Sequence, residues 1–163
     1  MRLDGIKSFN VISDTHGISQ EKLQNLLPVF NEAELLVFLG DGLSDLDYLS
    51  DKLTCPLIKL RGNCDILKKA DKLVMLELQN YKMLFTHGDS FGVKNGLDKL
   101  YYFALQEGCT HAFYGHTHIP DITVEKGVTL VNPGSLNNRI GQKSSFCTVF
   151  WDNGQYAIKI ILI

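Results

Sequence analysis

The sequence predicts a mixed α/β (α+β) fold: a four-layer α/β/β/α sandwich in which two mixed sheets face each other. Two observations carry the expectation. Residues 6–62 alternate apolar runs with stretches of helical spacing, the pattern of parallel strands with covered faces. Residues 73–162 are rich in short strands around one helix and contain the hairpin signal Asp152-Asn153-Gly154. No repeat and no Pro/Gly/Ser-rich linker divides the 163 residues, so residues 1–163 are expected to form a single domain.

Residues 6–13 (IKSFNVIS) form an apolar run that passes into Asp14 and Gly17, a first strand and its loop. Ser19 is placed to cap a helix over 20–30, in which Leu23, Leu26, Leu27 and Phe30 share a face. Pro28 argues against the second half of that helix. The unbroken run 34–40 (ELLVFLG) is a strand buried on both faces, a helix follows over 43–53, and 56–62 (PLIKLRG) is the third strand. Two strands turn about Gln79-Asn80 within 73–88, and a helix is expected over 95–107. Short strands at 111–114, 121–125, 128–131, 145–151 and 155–162 complete the order.

Hydrophobic residues at 45% and charged residues at 21% suit a chain that buries a core, which sets aside disordered and fibrous classes. A formal charge of −2 gives no strong nucleic-acid signal. No apolar stretch approaches the ~20 residues that span a bilayer, so no membrane partner is expected. The first ten residues carry no signal-peptide pattern, and Cys55, Cys64, Cys109 and Cys147 form no CxxC pair. Reduced thiols and a cytoplasmic location are the expectation.

The polar residues fall in a pattern. Asp14-Thr15-His16 ends the first strand, and in an extended segment side chains at i and i+2 point the same way. Gly40-Asp41-Gly42 ends the second, Gly62-Asn63-Cys64-Asp65 the third, and Thr86-His87-Gly88-Asp89 the strand after the Gln79-Asn80 turn. Gly115-His116-Thr117-His118 repeats the i, i+2 spacing. Four of the five histidines therefore stand at strand ends beside glycine or carboxylate, with His111 the exception. Turns need Gly, Asn and Asp, but they do not need histidine. A set of carboxylate, imidazole and amide oxygen suits divalent ions such as Mn, Fe, Zn or Ni, and seven donors exceed what one site with an open position takes.

The ordered series DTH, GDG, GNCD, THGD and GHTH resembles that of the calcineurin-like metallophosphoesterase superfamily. The short length and the NPGS at 132–135 are similar to its small prokaryotic phosphodiesterase branch, related in fold to the metallophosphoesterase-like subunit of retromer. The resemblance runs from about residue 6 to about residue 140 and implies the metallophosphoesterase fold. It also implies two divalent metal ions per chain, Mn in first place, with Ni, Zn, Fe and Mg as alternatives. Asp14, His16, Asp41 and His118 would hold one ion; Asp41, Asn63, His87 and His116 would hold the other, with Asp41 shared. The ions would leave the site about +2 against its two carboxylates and draw in a phosphate, with a metal-bridging hydroxide as nucleophile. Asn63, Cys64, Asp65 and His87 are the expected catalytic residues, and Asn63 and Arg139 the expected substrate contacts.

The sequence departs from that pattern at three places. Cys64 stands where much of the superfamily has His, and a thiol of pKa ~8.5 is a weaker hydrogen-bond donor than imidazolium. Asp89 replaces another frequent His and is expected to orient a metal-bound imidazole. Asn138-Arg139 replaces the branch's Pro-Arg, while Asn132-Pro133-Gly134-Ser135 is expected to form a turn near the site. The expected function is a metal-dependent phosphoesterase, foremost a phosphodiesterase, acting on a small or exposed phosphoester in an open cleft without a capping domain. A homodimer is compatible with the sequence, though no motif supports one. The alternative is a non-catalytic protein-interaction scaffold of the retromer-subunit type. A nuclease is disfavoured by the charge.

Overall fold

The chain is described by a computed structural model over residues 1–3, 5–137, 141 and 143–163. Its elements follow in the order β1 (Arg2–Leu3), β2 (Ser8–Ile12), α1 (Gln20–Glu32), β3 (Leu36–Phe38), α2 (Leu46–Ser50), β4 (Leu57–Lys59), β5 (Leu73–Leu78) and β6 (Tyr81–Thr86). After two 3-10 turns come α3 (Asp98–Gln106), β7 (His111–Phe113), β8 (Asp121–Glu125), β9 (Val128–Asn132), β10 (Ser145–Asp152) and β11 (Gln155–Leu162). One sheet has five strands in the order β11-β10-β2-β3-β4, the other six in the order β1-β5-β6-β7-β9-β8. Both are mixed: β2, β3 and β4 run parallel beside antiparallel β10, and β6, β7 and β9 run parallel between antiparallel β5 and β8.

Three apolar layers hold the sandwich. Between the sheets, alternate residues of each strand meet: Phe9, Val11 and Val37 from one side, Met83, Phe85 and Phe113 from the other. Phe9 sets its edge against both Phe85 (6.0 Å) and Phe113 (5.9 Å), which stack on each other at 4.8 Å. Burying each such ring stabilises the fold by about 2–3 kcal/mol. On the outer face of the five-stranded sheet, Leu23, Leu26 and Phe30 of α1 and Leu46 and Leu49 of α2 cover Ile12, Leu36 and Phe38. On the outer face of the other, Leu100, Tyr101 and Ala104 of α3 cover Leu84, Ala112 and Leu130. These faces give the expected α/β/β/α order.

Several boundaries differ from expectation, each for a local reason. Helix α1 is capped by Ser19, whose hydroxyl accepts from the Lys22 amide, and it runs through Pro28. Pro28 and Gln24 lie on the exposed face, where water can satisfy the carbonyl that Pro28 leaves without a donor. Helix α2 begins at residue 46 rather than 43 because the segment before it is committed elsewhere. The Leu43 amide donates to Asp65, and the Asp45 carboxylate accepts from Thr15 and Gly17. Helix α3 begins at residue 98 rather than 95, since Gly96 (φ 137°, ψ 162°) leaves the helical region between the second 3-10 turn and the helix. Strand β1 was not expected: two residues carry no periodicity, and it exists through parallel pairing with β5. No helix among the described residues is long and apolar enough to cross a membrane.

Candidate metal centre

Parallel strands from both sheets deliver their carboxyl ends to one cleft, the edge where α/β sheets bind ligands. From the five-stranded sheet come Asp14 and His16 after β2, Asp41 after β3 and Asn63 after β4. His87 after β6, with His116 and His118 after β7, comes from the six-stranded sheet. The backbone that aims them is unusual. Asp14, His16, Asp41, His116 and His118 all have positive φ, between 41° and 68°, a region side-chain-bearing residues rarely adopt. Convergence of the i, i+2 pairs is therefore not the alternation of an extended strand, as the spacing suggested. Each pair sits on a left-handed turn beyond the strand.

Two donor groups form. In the first, Asp14 Oδ1 lies 3.1 Å from His118 Nε2 and 3.5 Å from His16 Nε2, and the two imidazole nitrogens face each other at 3.3 Å. In the second, His87 Nε2 lies 3.3 Å from Asp41 Oδ2, 3.2 Å from Asn63 Oδ1 and 3.2 Å from His116 Nδ1. Asp41 Oδ2 is also 3.8 Å from His16 Nε2, so one carboxylate oxygen adjoins both groups. Protons satisfy this arrangement poorly. His87 Nε2 can donate once but meets several acceptors, and Asp14 Oδ1 is buried without a hydrogen bond. Lone pairs converging on common points fit divalent cations, and all seven sequence-predicted metal ligands take part.

The electrostatics agree. Burial alone would raise the Asp14 carboxyl, but contacts with His118 and His16 and the charge of His87 hold it well below the usual range. Asp41 is likewise lowered: burial opposes ionisation, while His87 and the Cys64 amide, 2.7 Å from Oδ1, favour it. His87 is raised, because Asp41 and Asp14 outweigh its burial.

The other expected residues have different surroundings. Cys64 is exposed at the rim, with its sulfur 3.3 Å from Asn63 Nδ2; partial burial, then the carboxylates of Asp41, Asp65 and Asp14, push its thiol up to about 11. Asp65 is buried, and its carboxylate is taken up by the backbone amides of Asp41 (2.8 Å), Gly42 (3.0 Å), Leu43 (2.8 Å) and Gly62 (2.9 Å). Arg139 lies outside the described residues. Asp89 does not orient an imidazole: left-handed Gly88 turns the chain away from β6, Asp89 pairs with Lys72 at 3.5 Å, and His87 Nδ1 is buried without a hydrogen bond.

Beneath the donors lies a frame that includes the expected NPGS turn and bonds that the motifs did not reveal. Asn132 donates through Nδ2 to the Gly115 carbonyl and Thr117 Oγ1, both at 3.0 Å, and Ser135 Oγ donates to the Asp14 carbonyl at 2.8 Å. The NPGS turn thus ties the His116 loop to the Asp14 loop. Ser13 Oγ donates to Asp14 Oδ2 at 2.5 Å, and the His116 amide reaches the same oxygen at 3.1 Å. A Cβ on Gly115 would press on Ser13 Oγ and Asp14 Oδ2, so glycine there leaves room for the hydrogen bond between them.

The sequence profile described as the calcineurin-like phosphoesterase superfamily domain matches residues 8–154. The chain is 30% identical over 151 residues to the probable metallophosphoesterase YsnB of Bacillus subtilis, covering 91% of this chain and 87% of that protein. A predicted phosphoesterase of Streptococcus pneumoniae superposes with a TM-score of 0.80 at 23% identity, over 96% of this chain and 89% of that one. A structure described as a novel archaeal phosphodiesterase gives 0.73 at 19% identity, covering 94% and 99%. Vps29 of Entamoeba histolytica complexed with zinc gives 0.73 at 17% identity, covering 95% and 98%. At these identities the structural likenesses establish the fold.

Proposed function

This chain belongs to the calcineurin-like phosphoesterase superfamily, and we propose on that ground that it is a metal-dependent phosphodiesterase acting on a small or exposed phosphoester. The observation that carries the proposal is the pair of donor groups sharing Asp41, whose facing nitrogens and hydrogen-bond-free Asp14 oxygen call for cations rather than protons. Asp14, His16, Asp41 and His118 would hold one ion, and Asp41, Asn63, His87 and His116 the other. Bound there, divalent ions supply an activated water as nucleophile and neutralise the phosphoryl oxygens; Mn is the proposed metal.

The chain's own groups do the rest. Asn63 stands exposed at the mouth of the cleft; its Nδ2 spends one hydrogen on the Cys64 sulfur and has a second for a phosphoryl oxygen. His87, fully buried, fixes the floor of the second group. Asp65 acts as a positioning residue, holding the Asp41 and Asn63 loops at one distance from each other. The four free cysteines suit a reducing, cytoplasmic setting.

The test is a panel of phosphomonoesters, phosphodiesters and cyclic nucleotides, assayed on metal-free protein with Mn, Ni, Zn or Mg added. Diester turnover that depends on metal, and that Asp41→Ala lowers at least about a hundredfold, is expected. Equal rates for wild type and Asp41→Ala throughout would overturn the proposal. The shared fold with Vps29 supports a second reading, a protein-interaction scaffold. Metal binding with no turnover of any ester favours that reading.

A further inference from the structure

The proposed metal sets leave the sulfur of Cys64, at the rim of the cleft, unused. That sulfur, a ring nitrogen of His16 and a carboxylate oxygen of Asp41 all lie within 4.8 Å of one another, a third donor group among the described residues. His16 belongs to the first donor group and Asp41 to both, so this third group overlaps the others instead of standing apart. It is also the only one containing sulfur, which prefers soft cations, whereas carboxylate and amide oxygen suit Mn and Mg.

We propose that Cys64, His16 and Asp41 form a capture site for thiophilic divalent cations, zinc or cadmium, which competes with the oxygen- and nitrogen-donor sets for His16 and Asp41. The inference rests on the reading of the cleft as a metal centre. A tetrahedral thiolate–imidazole–carboxylate site needs bonds of ~2.0–2.3 Å, so the donors must draw together from their present spacing. Cys64 is exposed and His16 half-buried, so both side chains have room to swing inward. On coordination the thiol proton passes to water and the sulfur binds as thiolate, with no change of oxidation state. A fourth position is left for water. The consequence is selectivity: under excess zinc or cadmium the cleft holds a cation in the thiolate mode, which takes two donors from the first group and the carboxylate from the second.

The experiment is a titration of metal-free full-length protein with cadmium, followed by the ultraviolet band of a thiolate-to-cadmium charge transfer. Wild type should give the amplitude of one thiolate. Cys64→Ser should abolish the band and weaken cadmium binding by about tenfold or more. His16→Ala should weaken it similarly, and Cys55→Ser should leave it intact. Manganese binding, read by its paramagnetic resonance signal, should change less than about twofold in Cys64→Ser, which also shows that the variant folds. A band that survives in Cys64→Ser, or one indifferent to His16→Ala, overturns the capture site. Wild type that binds no manganese instead overturns the underlying metal-centre reading, so the two failures are distinct.

Discussion

Asp65 lies two residues after Asn63 and is one of the expected catalytic residues, yet its four amide contacts describe a clamp. Each is a charge-assisted hydrogen bond, worth about 1.5–3 kcal/mol, and together they fasten the loop after β3 to the loop after β4. Removing the carboxylate leaves four amides without their acceptor, three of them on the loop that carries Asp41. Asp65→Ala should therefore lower stability by about 3 kcal/mol or more and weaken manganese binding together with it. Denaturant unfolding and metal titration of the same variant measure both. An Asp65→Ala protein with wild-type stability and metal affinity but little turnover would instead make Asp65 catalytic. The same scale shows why the motif residues were legible and their supports were not. Asp14, His16 and His118 announce themselves by residue type. Asp45 bonds to a loop 30 residues away in sequence and nothing local marks it, while the NPGS motif marks Asn132 for a turn near the site but not its bond to Thr117, 15 residues back.

Strand β7 supplies the test at the level of elements. Its first residue, His111, is the histidine that no motif absorbed, and the structure buries it between Tyr81 (ring centroids 5.4 Å apart) and Phe113 (6.5 Å). Burial disfavours the imidazolium and lowers its pKa to about 4 from 6.5. Folding therefore prefers the neutral ring. This contribution is fully present above pH 6.5, is lost as pH falls towards 4, and is flat below. At 1.36 kcal/mol per pKa unit the loss is about 3 kcal/mol. In His111→Phe, which keeps an aromatic ring in the strand, that part of the slope should vanish; unfolding free energies measured from pH 7 to pH 4 for both proteins give the difference. Equal slopes would place the titration elsewhere. Long apolar strands such as β2 and β10 were readable because their alternation fixes which face is buried. Element ends were less so: α2 and α3 start where loop hydrogen bonds and the non-helical Gly96 allow, and β1 exists through its partner alone.

Across the whole molecule, each donor group draws on both sheets. Asp14, His16 and Asp41 of the five-stranded sheet meet His118 of the other, and Asp41 and Asn63 meet His87 and His116. The sheets otherwise adhere through apolar packing and through the NPGS turn, which bonds to both the Asp14 and the His116 loops. A bound cation is thus a cross-link between layers that exists in the folded state and has no counterpart in the unfolded chain. Linkage then sets the size of the effect. Free manganese at a hundred times its dissociation constant adds about 2.7 kcal/mol per site. For a chain of this length about 2–4 °C accompanies each kcal/mol, so calorimetry should show the melting temperature rising by roughly 5–10 °C for each site filled. Asp41→Ala removes the oxygen adjoining both groups, so its rise should fall below about 2 °C under the same conditions. The positive-φ turns that aim Asp14, His16, Asp41, His116 and His118 hold like-charged carboxylates and crowded imidazoles together in the absence of an ion, a strain that binding relieves only if the donors lie where these turns put them. An equal rise in wild type and Asp41→Ala would mean that manganese binds outside this cleft and that no cation cross-links the two sheets.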